Sequence, residues 1–186
     1  TGTSTLTFKN SYRTHSTSSQ FYGKGPEPVQ KFKFSVTGPE NIYNEILLGF
    51  TPQATRGQDR LFDGTKLKGN PNLAFYSINH QNDYAIQGLP SLDGRAETIP
   101  LGIDVGRGGD YTFKTVYREN ISPDTDIYLE DKKMGKYVNL NISPTYQTFI
   151  EEGSQRGRFL LHFNKAAPTG DRNTEKPLKI YAWGDT

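Results

Sequence analysis

"DIYLEDKKMGKYVNL", residues 126–140, decides the fold class. Ile127 and Leu129 alternate with Tyr128 and Glu130, and Val138 and Leu140 alternate with Tyr137 and Asn139. Such alternation marks strands with one apolar and one polar face. Between the two halves lie five residues ending in Gly135, a residue type that adopts the left-handed conformation closing longer hairpin loops. The stretch predicts a β-hairpin.

The same pattern recurs along the chain. Strands are predicted at 3–8, 31–36, 42–50, 73–78, 83–88, 98–104, 110–117, 126–130, 136–140, 146–150, 157–163 and 178–183. In "KFKFSV" Phe32, Phe34 and Val36 share a face, and in "YTFKTVY" Tyr111, Phe113 and Tyr117 do. In "RFLLHF" Phe159, Leu161 and Phe163 point inward, with Leu160 and His162 outward. The best helix candidate, "SPTYQTFIEEG", is rich in β-branched and aromatic residues, which lower helix propensity. Short strands at roughly ten-residue spacing predict an all-β, antiparallel, jelly-roll-like β-sandwich.

Composition agrees. Only 33% of residues are apolar, yet 12% are aromatic, and each aromatic side chain can bury a large area. The 19 Gly and 11 Pro imply many turns. Charges of both signs are interspersed around a net of +2, so neither nucleic acid nor an anionic surface is indicated. No apolar run approaches the ~20 residues of a membrane span. The absence of cysteine excludes disulfides, thiolate metal sites and cysteine nucleophiles. The chain opens on "TGTSTLTF" rather than a basic-then-apolar leader, so an export signal is expected to lie outside it.

The expected organisation is a β-sandwich domain over 1–163 with a long Ser-, Gly- and Pro-rich loop at 11–30. A linker at 164–177 follows, and 178–186 is an extra strand or the start of a truncated sorting domain.

Six segments, in order, resemble a module found upstream of C-terminal sorting domains of the type IX secretion system in secreted proteins of Bacteroidetes. They are "NEILLGFTPQATRGQDRLFDGTKLKGN" (44–70), "LAFYSI" (73–78), "YAIQGLP" (84–90), "TIPLGIDVGRGGDYTF" (98–113), "IYLEDKKMGKYVNL" (127–140) and "GRFLLHF" (157–163). The resemblance implies a cell-surface or secreted setting, with neighbouring domains in the same chain. It makes the LEDK hairpin a structural signature rather than a catalytic motif.

Motifs for chemistry are sparse. His15, His80 and His162 are the only histidines, without metal-binding spacing or a nucleophile elbow, and each reads as ordinary surface. Glu130 and Asp131 are adjacent on a strand and so point to opposite faces. Asp59 and Asp63, in "GQDRLFDGTKLKGN", could join backbone carbonyls around a structural calcium, or else cap the turn's own amides. Aromatic side chains that could stack on sugar rings are Tyr12, Phe21, Tyr22, Tyr76, Tyr84, Tyr128, Tyr137 and Trp183; Tyr12, Tyr22, Tyr128 and Trp183 are the chosen candidates. The expectation is a non-catalytic adhesion or carbohydrate-binding module for a polysaccharide or cell-surface ligand. The alternatives are a structural spacer and, further off, a small polysaccharide hydrolase or lyase.

Overall fold

The structure is a computed structural model and describes residues 29–165. The strands expected at 3–8 and 178–183, most of the 11–30 loop and most of the 164–177 linker lie outside the described residues. Eleven strands form one sheet: β1 (Gln30–Thr37), β2 (Tyr43–Phe50), β3 (Gly64–Thr65), β4 (Leu73–Asn79), β5 (Asn82–Leu89) and β6 (Glu97–Val105), then β7 (Gly109–Glu119), β8 (Ile127–Asp131), β9 (Lys136–Asn139), β10 (Thr145–Ile150) and β11 (Gly153–Phe163). Their order is β10-β7-β1-β2-β5-β4-β6-β11-β8-β9, with β3 pairing β5.

Ring contacts show how this sheet is shaped. Phe32 on β1 meets Phe163 on β11 at 5.3 Å, and Phe113 on β7 meets Phe159 on β11 at 4.6 Å. Those strands stand far apart in hydrogen-bonding order, so the sheet curls until its inner faces meet. The result is the expected all-β, jelly-roll-like sandwich, nearly closed into a barrel. The halves are not separate sheets, because hydrogen bonds run through all eleven strands, and β2 and β5 form one parallel pair. The 51–72 segment between β2 and β4 makes this parallel return feasible, since parallel neighbours need a long connection.

The alternation sets the core. Phe32, Phe34, Val36, Phe159, Leu161 and Phe163 are fully buried. Burying each such side chain contributes about 1.5–3 kcal/mol. The opening hairpin forms as expected, with Gly135 at φ +63° between β8 and β9. The helix candidate is strand β10.

One face assignment changes, and one outward residue is covered. Lys33 pairs with Tyr117 but Phe34 pairs with Thr115, so Val116 is a bulge and the alternation slips there. Tyr111 and Phe113 are therefore buried, whereas Tyr117 is 38% exposed. His162 does lie on the outward side of β11, yet it is only 2% exposed, because neighbours on that face cover it. No helix among the described residues is long and apolar enough to cross a membrane.

Candidate functional site

The sheet ends in β9 on one side and β10 on the other, and curling brings these edges together. No backbone ladder joins them among the described residues; side chains from β8, β10 and β11 do. Arg158 donates through Nε to Asp131 Oδ1 at 2.8 Å and through Nη2 to Asp131 Oδ2 at 2.7 Å. Its Nη2 also reaches Thr148 Oγ1, and its Nη1 reaches the carbonyl of Phe149, both on β10. Tyr146, also on β10, donates its hydroxyl to Asp131 at 3.1 Å. Asp131 additionally accepts the amides of Lys133 and Met134, so one carboxylate caps the hairpin turn and stitches the seam. Burial pushes the Asp131 carboxyl up, but Arg158, Tyr146 and the turn amide more than offset this and hold it below its ordinary value.

Arg158 can reach inward because of Gly157. Arg156 pairs with Gly102 and Phe159 with Leu101, leaving 157 and 158 as an insertion in β11, with Gly157 at φ +71°. A glycine inside a strand pattern is the mark of such a bulge. "GRFLLHF" carried that mark, and the inward arginine was missed.

Beside this stitch the seam opens into a groove of about 400 Å³, lined by Tyr137, Asn139, Ile142, Tyr146, Gln147 and neighbours. Tyr137 and Tyr146 are half-buried, while Gln147 is exposed. Tyr137 stacks over His162 with 6.0 Å between ring centroids, and Tyr146 stacks on Phe113 at 6.5 Å. Packing thus fixes both rings where they border the groove.

A second ionic cluster occupies the outer face of β4, β5, β6 and β11. Lys68 bridges Asp83 at 2.9 Å and Asp104 at 2.8 Å, and lies 4.1 Å from the centre of the Tyr76 ring. Arg156 pairs with Asp83, while Tyr76 and Ser154 donate to Asp104. Burial pushes the Asp104 carboxyl up, but hydrogen bonds from Lys68, Ser154 and Tyr76 outweigh it and hold the group low. Burial pulls Lys68 down, but its two carboxylate partners hold it above the ordinary lysine range. The tyrosine lies flat over Gly102, where any side chain would collide with its ring. Sequence spacing gave no signal for this cluster, because its members come from separate segments.

The candidate residues fall as follows. Tyr12, Tyr22 and Trp183 lie outside the described residues, as do Phe21 and His15. Tyr128 does not offer an exposed ring: it is 9% exposed, being in register between His162 on β11 and Asn139 on β9, whose amide donates to its hydroxyl. Tyr76 and Tyr84 are buried as well. Asp59 accepts the Thr55 amide at 2.6 Å; Asp63 accepts the amides of Asp59 at 2.7 Å and Gly88 at 2.8 Å. Both carboxylates thus tie down the loop over β5. Among the described residues no cluster of three or more metal-ligating side chains occurs.

Glu130 and Asp131 do point to opposite faces. Glu130 meets His162 Nε2 at 2.7 Å, and His162 Nδ1 lies 3.0 Å from Thr98 Oγ1. This Thr–His–Glu chain resembles a nucleophile relay in composition. Its imidazole, however, is buried under Tyr137 and ties β6, β11 and β8 together.

The fold and seam thus define a jelly-roll-like β-domain with an aromatic-lined groove at the join. The chain belongs to the family described as "Domain of unknown function (DUF8693)", whose model matches residues 1–163. Comparison with curated proteins and with solved structures returns no match.

Proposed function

We propose that this domain is a non-catalytic carbohydrate-binding module of an exported bacterial multidomain protein, holding a polysaccharide segment in the seam groove. The observation that carries the reading is the pairing of Tyr137 and Tyr146 with Asn139, Gln147 and Lys136 along one open groove. Aromatic rings cover the apolar faces of sugar rings, and amides and an ammonium meet their hydroxyls. Both tyrosines are held from behind, so little side-chain entropy is lost on binding. The cell-surface setting comes from the resemblance of the segments between 44 and 163. Export of the full-length protein in its native host, followed by surface labelling, tests that setting.

Binding to a panel of soluble and insoluble polysaccharides tests the main claim. Saturable binding to one glycan is expected, weakened by Gln147→Ala and abolished by Tyr137→Ala, with both variants folded. Silence across the panel would overturn it and favour a spacer that presents neighbouring domains. The spacer reading draws on the LEDK hairpin, whose Asp131 is committed to closing the fold. Calcium enters only through Asp59 and Asp63: a melting temperature lowered by EDTA would place an ion there, because an ion bound only by the native state stabilises it. An unchanged value would leave turn capping as their role.

A further inference from the structure

Charges of both signs are interspersed along the sequence, yet folding sorts them at the seam. Among the described residues, Lys136 is the one charged side chain in the groove wall, and it is exposed. Its cross-strand neighbour Asp131 gives both oxygens to Arg158, which leaves the ammonium free. Two more exposed cations stand on β7, one strand behind β10. Lys114 is in register with Thr145, which lines the groove. Arg118 donates through Nη1 to Asn141 Oδ1 at 2.8 Å, next in sequence to Ile142 of the wall. Among the described residues none of these three cations forms an ion pair.

The carboxylates of the adjoining strands are engaged elsewhere. Glu130 meets His162, and Glu151 meets Lys133 at 2.9 Å. Asp124 and Asp126, in the loop before β8, form no part of the wall. The groove thus joins two half-buried tyrosine rings to charge of one sign. A cleft of that kind focuses its field on an incoming counter-charge. An ammonium also binds a carboxylate or sulfate more strongly than it binds a neutral hydroxyl.

We infer that the polysaccharide held in the seam groove is anionic, with a carboxylate or sulfate group meeting Lys136 Nζ while a sugar ring lies against Tyr137. Lys114 and Arg118 add attraction from the rim. This rests on the groove being a glycan site and narrows the class of glycan it takes.

Binding of the full chain to polymers matched in backbone and differing in charge tests this. The pairs are polygalacturonate with its methyl ester, and dextran sulfate with dextran. One anionic member should bind saturably and at least about tenfold more tightly than its neutral counterpart, and added salt should weaken it. Lys136 is exposed, so Lys136→Met should keep the melting temperature, lose about tenfold in affinity and flatten the salt dependence. Lys136→Arg should restore most of the affinity. Binding to polygalacturonate alone would identify the group as a carboxylate, and binding to dextran sulfate alone as a sulfate.

Equal binding of a neutral polymer, unchanged in Lys136→Met and abolished in Tyr137→Ala, would overturn this inference and leave the groove as a glycan site. Anionic binding that survives both Lys136→Met and Tyr137→Ala would place the attraction outside the groove and overturn it too. Silence of every polymer, here and across the wider panel, would overturn both readings.

Discussion

Two ionic clusters join strands in this domain, and they differ in where the charges sit. Asp131 and Arg158 meet inside, with side chains 0% and 5% exposed. Lys68 and Arg156 meet Asp83 and Asp104 outside, where the cations are 42% and 41% exposed. Geometry is similar; dielectric is not. Removing one partner inside leaves an uncompensated buried charge, whereas outside water and salt replace the lost partner.

The largest expected effect is therefore at the inner pair. Arg158→Met or Asp131→Ala should each cost about 3–5 kcal/mol in urea unfolding. The double variant Asp131→Leu/Arg158→Met should cost less than the sum of the two, because no charge is left stranded. A simple sum would show that the two side chains act separately.

The same pair shapes the acid response. The folded carboxyl of Asp131 is held below its unfolded value, so its contribution is present above about pH 4 and lost as pH falls through the folded value. Comparing Asp131→Asn with the parent chain across pH 2–7 should show a stability gap that is constant near neutrality and narrows at low pH. A gap that widens on acidification would have the wrong sign.

Gly102→Ala comes next. It places a methyl group into the Tyr76 ring, and overpacking of this kind costs about 1–3 kcal/mol. A neutral result in thermal unfolding would mean that Tyr76 moves aside freely. The smallest effect is expected for Lys68→Met, under about 1 kcal/mol and fading with added salt. A larger, salt-independent loss would erase the distinction between the two clusters.

Much of the fold could be read from alternation alone, because a buried face demands an apolar residue at every second position. The assignment failed where a bulge shifted the period, at Val116, which turned Tyr117 outward; a second bulge at Gly157 turns Arg158 inward, a residue that the alternation had left unassigned. The outward position of His162 was legible, but its burial was not, since Tyr137 and Tyr128 cover it from other strands. The seam was illegible for a related reason. Asp131 and Arg158 lie 27 residues apart and meet because β8 pairs with β11, and their contacts to Tyr146, Thr148 and Phe149 on β10 form only once the sheet has curled. The capping role of Asp59 and Asp63 was one of two readings open from the turn composition, and the amides they meet are now visible. The groove has no local sequence mark either.

The most direct test of side-chain closure is native-state hydrogen exchange in Asp131→Asn. If Asp131 and Arg158 hold the seam, amides of β10 and of the β8–β9 hairpin should lose protection selectively, while β1, β2 and β6 keep theirs. Protection unchanged at β10, or lost equally in every strand, would contradict the claim that this pair closes the sheet.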